Sequence, residues 1–179
     1  MSHSSPDPFQ IASTAEAEII AVLARRIWSE AYASMLSREQ IDHMLFQRYE
    51  RNRLIRTLEQ SDCRYWLVRE GERSVGYGSM ELNVSEGGMK IREIYLLESV
   101  RGSGLAQGLL ETMIETARRH EARWVWLTVN RHNSRALRFY QRCGFETVRE
   151  CVSDIGGGFV MDDYVMEKTI RSNPGSGNG

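Results

Sequence analysis

Arg101-Gly102-Ser103-Gly104-Leu105-Ala106 separates a strand-like run, Ile91-Arg92-Glu93-Ile94-Tyr95-Leu96-Leu97, from an amphipathic stretch with Leu105, Leu109, Met113 and Ala117 at four-residue spacing. A glycine-bearing turn that opens a helix is a device for holding phosphate. Small residues let the backbone approach closely, and the first helical amides, which have no partner in their own helix, point at the anion. No Gly-Lys-Ser/Thr follows, so the turn is not a lysine-bearing nucleotide loop. A third glycine is missing too, and no strand-ending acid lies about 20 residues on, so the dinucleotide fingerprint is incomplete. The turn therefore predicts a phosphate site without naming the compound.

Outward from this turn the pattern alternates in period. Trp124-Val125-Trp126-Leu127-Thr128-Val129 reads as a buried central strand, so strand 91–97, helix 103–120 and strand 124–129 form a parallel crossover. Arg118, Arg119 and His120 suit the negative end of that helix. Upstream, Phe9–Ala12 reads as a short strand, and Thr14 as the cap of a helix reaching Tyr32, with Ile20, Leu23, Ile27 and Trp28 on one face. Ser37-x-x-Gln40 has capping-box spacing before a helix carrying Ile41, Met44 and Leu45. Leu54, Ile55 and Leu58 extend the helical region. Tyr65–Arg69 and Val75–Leu82 flank a hairpin turn, Glu70-Gly71-Glu72-Arg73. Asn133–Cys143 is a short helix stopped by Gly144, and strands near Thr147–Val152 and Asp163–Lys168 close the chain around Gly156-Gly157-Gly158. The expected architecture is α/β: a single mixed, largely antiparallel sheet with a central parallel pair and helices on both faces. One domain spans 9–171, between a disordered segment over 1–8 and a flexible tail over 172–179.

Composition excludes several classes. With 23 basic and 24 acidic residues in 179, no global field points to nucleic acid or an anionic membrane. No apolar run approaches a membrane span, and no secretory leader is legible. Cys63, Cys143 and Cys151 are odd in number and widely spaced, and the four histidines do not cluster, so neither a disulfide framework nor a metal site is expected. A cytoplasmic location is the expectation. Arg48, Arg51, Arg53 and Arg56 read as a solvated helix face. Should they line a substrate pocket, they would disfavour polycations and favour a carboxylate.

Two blocks carry a family resemblance. Arg101-Gly102-Ser103-Gly104-Leu105-Ala106 resembles the Arg/Gln-x-x-Gly-x-Gly/Ala signature of the GNAT superfamily of acyl-CoA-dependent N-acyltransferases. Asn133-Ser134-Arg135-Ala136-Leu137-Arg138-Phe139-Tyr140-Gln141-Arg142-Cys143-Gly144-Phe145 is similar to that family's Asn-x-x-Ala-x-x-Phe-Tyr-x-x-x-Gly-Phe segment. The resemblance covers roughly 9–170. It implies acetyl-CoA as cosubstrate and a sheet splayed between the parallel strands, with the pyrophosphate on Arg101, Gly102, Ser103, Gly104, Leu105 and Ala106. The pantetheine arm would pair with the backbone of Ile94, Tyr95 and Leu96.

By the same resemblance Tyr140 protonates the departing thiolate, and Asn133 helps hold the cofactor. Asn133 also suits a helix N-cap, and Tyr140 a core aromatic. Arg135 and Arg138 are possible partners of the CoA 3′-phosphate or simply solvated. Glu93 is the candidate general base, projecting with Tyr95 and opposite Ile94 and Leu96. Asp162 and Asp163 are weaker candidates for substrate recognition. The implied function is N-acetylation of a primary amine on a small molecule, polyamine or peptide, by direct attack. Segments 31–45 and 158–168 resemble a polyamine-acetyltransferase-like subgroup. A homodimer is possible. The alternative on the same fold is a non-catalytic acyl-CoA-binding sensor.

Overall fold

The computed structural model describes residues 7–170. In chain order it contains β1 (Phe9–Ile11), α1 (Ala17–Tyr32), α2 (Arg38–Tyr49), α3 (Arg51–Leu58), β2 (Cys63–Glu70), β3 (Arg73–Glu81) and β4 (Gly88–Leu96). There follow α4 (Leu105–Arg119), β5 (Trp124–Asn130), α5 (Ser134–Arg142), β6 (Glu146–Gly156) and β7 (Phe159–Thr169). Short 3-10 turns at Thr14–Glu16 and Glu98–Val100 precede α1 and α4. The segments expected to lack order, 1–8 and 172–179, lie outside the described residues except at Asp7 and Pro8, where the Pro8 carbonyl accepts from the Arg69 amide at 2.8 Å.

All seven strands share one sheet, in the order β1-β2-β3-β4-β5-β7-β6. Every neighbouring pair is antiparallel except β4 and β5, which run parallel. That pair is joined only at Gly88–Trp124, Met89–Val125 and Lys90–Trp126. Beyond it, β4 stays bonded to β3 through Leu96, and β5 stays bonded to β7 through Asn130. The sheet therefore splits at its centre. The mixed, splayed architecture matches expectation.

The predicted helix faces are buried. Ile20, Leu23, Ile27 and Trp28 of α1, and Leu109, Met113 and Ala117 of α4, form part of one continuous core. Each fully buried large side chain contributes about 1.5–3 kcal/mol, so truncating Leu109 to alanine would empty the contact between α4 and the sheet.

Three local expectations need correction. Ser13, not Thr14, caps the first helical segment: its hydroxyl accepts from Ala15 N at 3.2 Å, and Glu16 Oε2 accepts from Ser13 N at 2.8 Å. Only half of the Ser37–Gln40 box forms. Ser37 Oγ accepts from Gln40 N at 3.1 Å, but the Gln40 side chain donates instead to Val160 O at 3.0 Å. This draws α2 onto the β6–β7 hairpin. Finally, β5 is not buried on both faces. Val125, Leu127 and Val129 are buried, whereas Trp124 and Trp126 are half-buried and Thr128 is exposed. Thr128, beyond the last joined pair of β4 and β5, borders the cleft, and basic side chains cover the indoles at the joined pairs: Arg123 over Trp124, and Lys90 over Trp126.

Candidate active site

A cleft of about 1380 Å³ runs through the split, from the turn before α4 on one side to α2 and the β6–β7 hairpin on the other. It is large enough for an extended cosubstrate and a second, smaller molecule.

The turn has the properties of an anion cradle. Gly102 and Gly104 have φ of +83° and +87°, which L side chains rarely adopt. A Cβ built on either would meet nothing within 4 Å, so their open faces look onto free space. Within the expected pyrophosphate site, Arg101 to Ala106, two amides are already engaged. Arg101 N donates to Glu98 O at 3.1 Å, and Ser103 N to Val100 O at 3.3 Å. Ser103 Oγ locks the same turn by donating to Val100 O at 2.7 Å. The first α4 amide bonded in the helical pattern is Gly108 N, on Gly104 O. Gly102, Gly104, Ala106 and Gln107 are thus left with unpaired amides at a helix N-terminus, and Leu105 N makes only a long contact of 3.4 Å to Ser103 Oγ. Gln107 was not legible as a member, because the turn's use of alternate amides has no sequence signature.

Two cations flank this cradle. Arg101 pairs with Glu98 at 2.9 Å, and Arg135 lies near enough for Arg101 to oppose its charge. Burial first, then the Arg101 charge, lowers the Arg135 guanidinium below its ordinary value. Juxtaposed cations are relieved by a polyanion. Arg138 does not reach the cleft wall.

Along β4, Ile94, Tyr95 and Leu96 pair with Gly78, Tyr77 and Gly76 of β3 on one edge only. Their other edge has lost β5, so its backbone groups are offered to the cleft, where an amide-bearing chain can pair as a short extra strand.

At the floor, Tyr140 is 8% exposed and stands edge-on to Phe139 and Phe145 at 5.0 and 5.5 Å between ring centres. Burial, then the nearby Tyr32, raises its phenol above the ordinary value, so the group enters the site protonated. Phe139 is half-buried at the cleft wall. Asn133 takes the capping role: Oδ1 accepts from Ala136 N at 3.1 Å, and the residue also lines the cleft.

Glu93 does project with Tyr95, but both of its oxygens are engaged. Tyr49 donates to Oε2 at 2.9 Å, Ser79 donates to Oε1 at 2.8 Å, and Arg48 Nη1 stands 3.5 Å from Oε2. A carboxylate so committed anchors Arg48 and Tyr49 to the sheet, which sets a structural role beside the candidate base assigned from sequence. Burial, the largest single influence, opposes the Arg48 charge, but Glu93 together with Tyr49, Tyr95 and Tyr65 outweighs it and raises the guanidinium above its usual value.

Among the described residues, the cleft carboxylate left without a partner is Asp163 on β7, opposite Asn130 of β5. Its Oδ1 is buried with no hydrogen-bond partner. Burial and the neighbouring Asp162 push it up to about 6, while Arg48 and Lys90 pull it back. Tyr32, bonded to Tyr95 through their hydroxyls at 2.9 Å, feels the charge of Asp163 as well. Sequence reading ranked Asp163 below Glu93 and passed over Tyr32. The register that brings β7 beside β5 is a long-range pairing, and no local pattern announces it.

Residues 23–145 match the family model described as acetyltransferase (GNAT) family. The chain belongs to the GNAT family. At family level its activity is acetyl-CoA-dependent acetyl transfer. An uncharacterized N-acetyltransferase of Mycobacterium tuberculosis is 28% identical over 155 residues, covering 87% of this chain and 98% of the relative. A spermidine N(1)-acetyltransferase of Thermoplasma acidophilum is 24% identical over 162 residues, covering 89% and 95%. Among solved structures, the PaiA N-acetyltransferase of Thermoplasma acidophilum in complex with coenzyme A aligns with a TM-score of 0.76 at 21% identity, covering 90% of this chain and 99% of that one. That last likeness is one of GNAT fold. Among the described residues, no group of His, Cys, Asp or Glu is arranged to hold a metal ion, and no helix is long and apolar enough to cross a membrane.

Proposed function

We propose that this protein is an N-acetyltransferase that moves an acetyl group from acetyl-CoA to a primary amine by direct attack within a ternary complex. The observation that carries the reading is the split between β4 and β5, with a free-amide cradle at one end and a protonated phenol at its floor. The residues present fit the cosubstrate. Gly102, Gly104, Ala106 and Gln107 would hold the pyrophosphate on their amides, aided by the helix dipole and by Arg101 and Arg135. The free edge of Ile94–Leu96 would hold the pantetheine amides in register.

Bound there, acetyl-CoA supplies a thioester carbonyl whose C–S bond breaks as the amine nitrogen forms its C–N bond. Tyr140 delivers a proton to the departing sulfur. Its raised phenol might look mismatched to a thiol near ~8.5. The same burial raises any thiolate beside it, so the gap between the two narrows. An ammonium acceptor must first lose a proton. At pH 7 an alkylamine is neutral only ~0.1% of the time, a penalty of ~4 kcal/mol. A proton acceptor in the cleft removes part of that barrier.

The acceptor side is read less fully than the donor side. The relative named as a spermidine acetyltransferase puts polyamines in the test panel. The experiment follows thiol release from acetyl-CoA across primary amines, with the acetylated product identified by mass. Turnover on at least one amine supports the reading. Saturable acetyl-CoA binding without turnover on any amine overturns it in favour of a sensor, and failure to bind CoA removes the donor half as well.

A further inference from the structure

Resting on the transferase reading above, we infer that the acceptor is an ampholyte: a primary amine presented to Asp163, carrying a carboxylate that is taken by Arg48, with Lys90 beside it. The charge inventory of the acceptor wall carries this. Asp163 lines the cleft, and one of its carboxylate oxygens is buried with no hydrogen-bond partner among the described residues. Most other carboxylates on the cleft are spoken for. Glu93 holds Tyr49, Ser79 and Arg48; Glu30 pairs with Arg26, Glu98 with Arg101, and Glu111 accepts from Gln107.

The cations are under-used. Arg48 spends one nitrogen on Glu93, at a long 3.5 Å, and keeps 36% of its side chain exposed at the cleft. A guanidinium has five donors in a fork suited to a carboxylate. Lys90 is held 4.9 Å over the Trp126 ring and 3.9 Å from Glu81, so its ammonium stays at the last joined pair of β4 and β5. One unpartnered negative group facing an under-used guanidinium, with the Lys90 ammonium held nearby by Glu81 and Trp126, is complementary to an amine with an attached anion. A polyamine would place its second ammonium against Arg48 or Lys90.

In the reaction, the ammonium gives one proton to the Asp163 carboxylate, directly or through one water. The nitrogen loses a second as the amide forms, and Tyr140 protonates the sulfur and is restored by that second proton. The net yield is one amide, one thiol and one proton. The groups facing Asp163 are Tyr32 from α1, Arg48 from α2, Lys90 from β4 and Asp162 from its own strand. An acceptor carboxylate on Arg48 and Lys90 would weaken their pull on Asp163 and favour its role as proton acceptor.

The test measures kcat/KM for α- and ω-amino acids of two to five carbons, each beside its carboxamide and the diamine of equal length. Peptides with aspartate or glutamate at residue 1 and an amidated end distinguish a peptide source from a free one. Amino carboxylates should exceed their carboxamides by at least 10-fold. Arg48→Met and Lys90→Met should each raise KM for the carboxylate at least several-fold while leaving KM for the carboxamide within about twofold. Asp163→Asn should lower kcat at least 100-fold and remove the rise of activity through pH 6, with CoA affinity by calorimetry and the melting temperature retained. Lys90→Met, remote from Glu93, keeps the test open if Arg48→Met unfolds. Diamines or carboxamides turned over as well as the amino carboxylates overturn the inference while leaving the transferase reading intact. No turnover on any acceptor, with CoA bound, instead defeats that reading.

Discussion

Tyr49 donates a hydrogen bond of 2.9 Å to Glu93 Oε2, the same oxygen that pairs with Arg48 from the preceding position of the helix. Glu93 is thereby the pin that holds α2 against the sheet. Removing one partner of a fully buried ion pair costs about 3–5 kcal/mol; the partial exposure of Arg48 reduces this, while the orphaned Tyr49 and Ser79 hydroxyls add to it. Glu93→Ala should therefore lower Tm by at least about 5 °C. Glu93→Gln should do so less and retain substantial activity at saturating substrate, because both carboxylate oxygens are already engaged by Tyr49, Ser79 and Arg48. A Glu93→Gln protein of unchanged stability but without turnover would refute this assignment.

The Tyr140 hydroxyl makes no hydrogen bond to the described residues and is raised chiefly by burial, so it contributes little to folding. Tyr140→Phe should leave Tm within about 2 °C and CoA affinity within about twofold, because neither packing nor the cradle changes. Its kcat should fall roughly 10²–10⁴-fold, the range of a lost general acid. Equal losses in CoA affinity and kcat would instead make Tyr140 a cofactor-positioning side chain.

These two residues mark what the sequence could and could not reveal. Tyr140 stands out through the family resemblance of its local block, Asn133 to Phe145, on one short helix that Asn133 starts with its own side chain. The strand and helix order was legible because periods of two and near four are local. Glu93 was placed on the correct face by alternation, but its partners come from α2 and β3, far away in the chain. Asp163 gains its isolation from burial against β5. Long-range register decides all of these, and composition around each residue is silent about it.

Gly102 and Gly104 have positive φ, and the places their β-carbons would occupy are empty. Gly102→Ala and Gly104→Ala should each cost about 1–2 kcal/mol of backbone strain. Their larger effect should be on ligand binding, where the added methyl stands on the open face of the cradle. CoA Kd by calorimetry should rise at least 10-fold, whereas dephosphorylated pantetheine should bind both variants and the parent alike. Equal weakening of both ligands would move the pyrophosphate away from this turn.

Asp163 gives stability a pH dependence of defined sign. Its carboxyl lies at about 6 in the folded protein against 3.8 as the ordinary value, mainly through burial. A raised acid binds its proton more tightly when folded, so its favourable contribution is fully present below about 3.8 and is lost as pH rises through about 6. Between those values the native state must ionise a group the unfolded chain ionises more easily. Asp163→Asn carries no such charge. The Tm of Asp163→Asn relative to the parent should therefore increase as pH is raised from about 4 to 7 and level off above it, in low-salt buffer where Arg48 and Lys90 are least screened. A difference independent of pH, or one that falls across this window, would mean that Asp163 ionises as a solvated carboxylate and that its buried oxygen is neutralised by a closer cation.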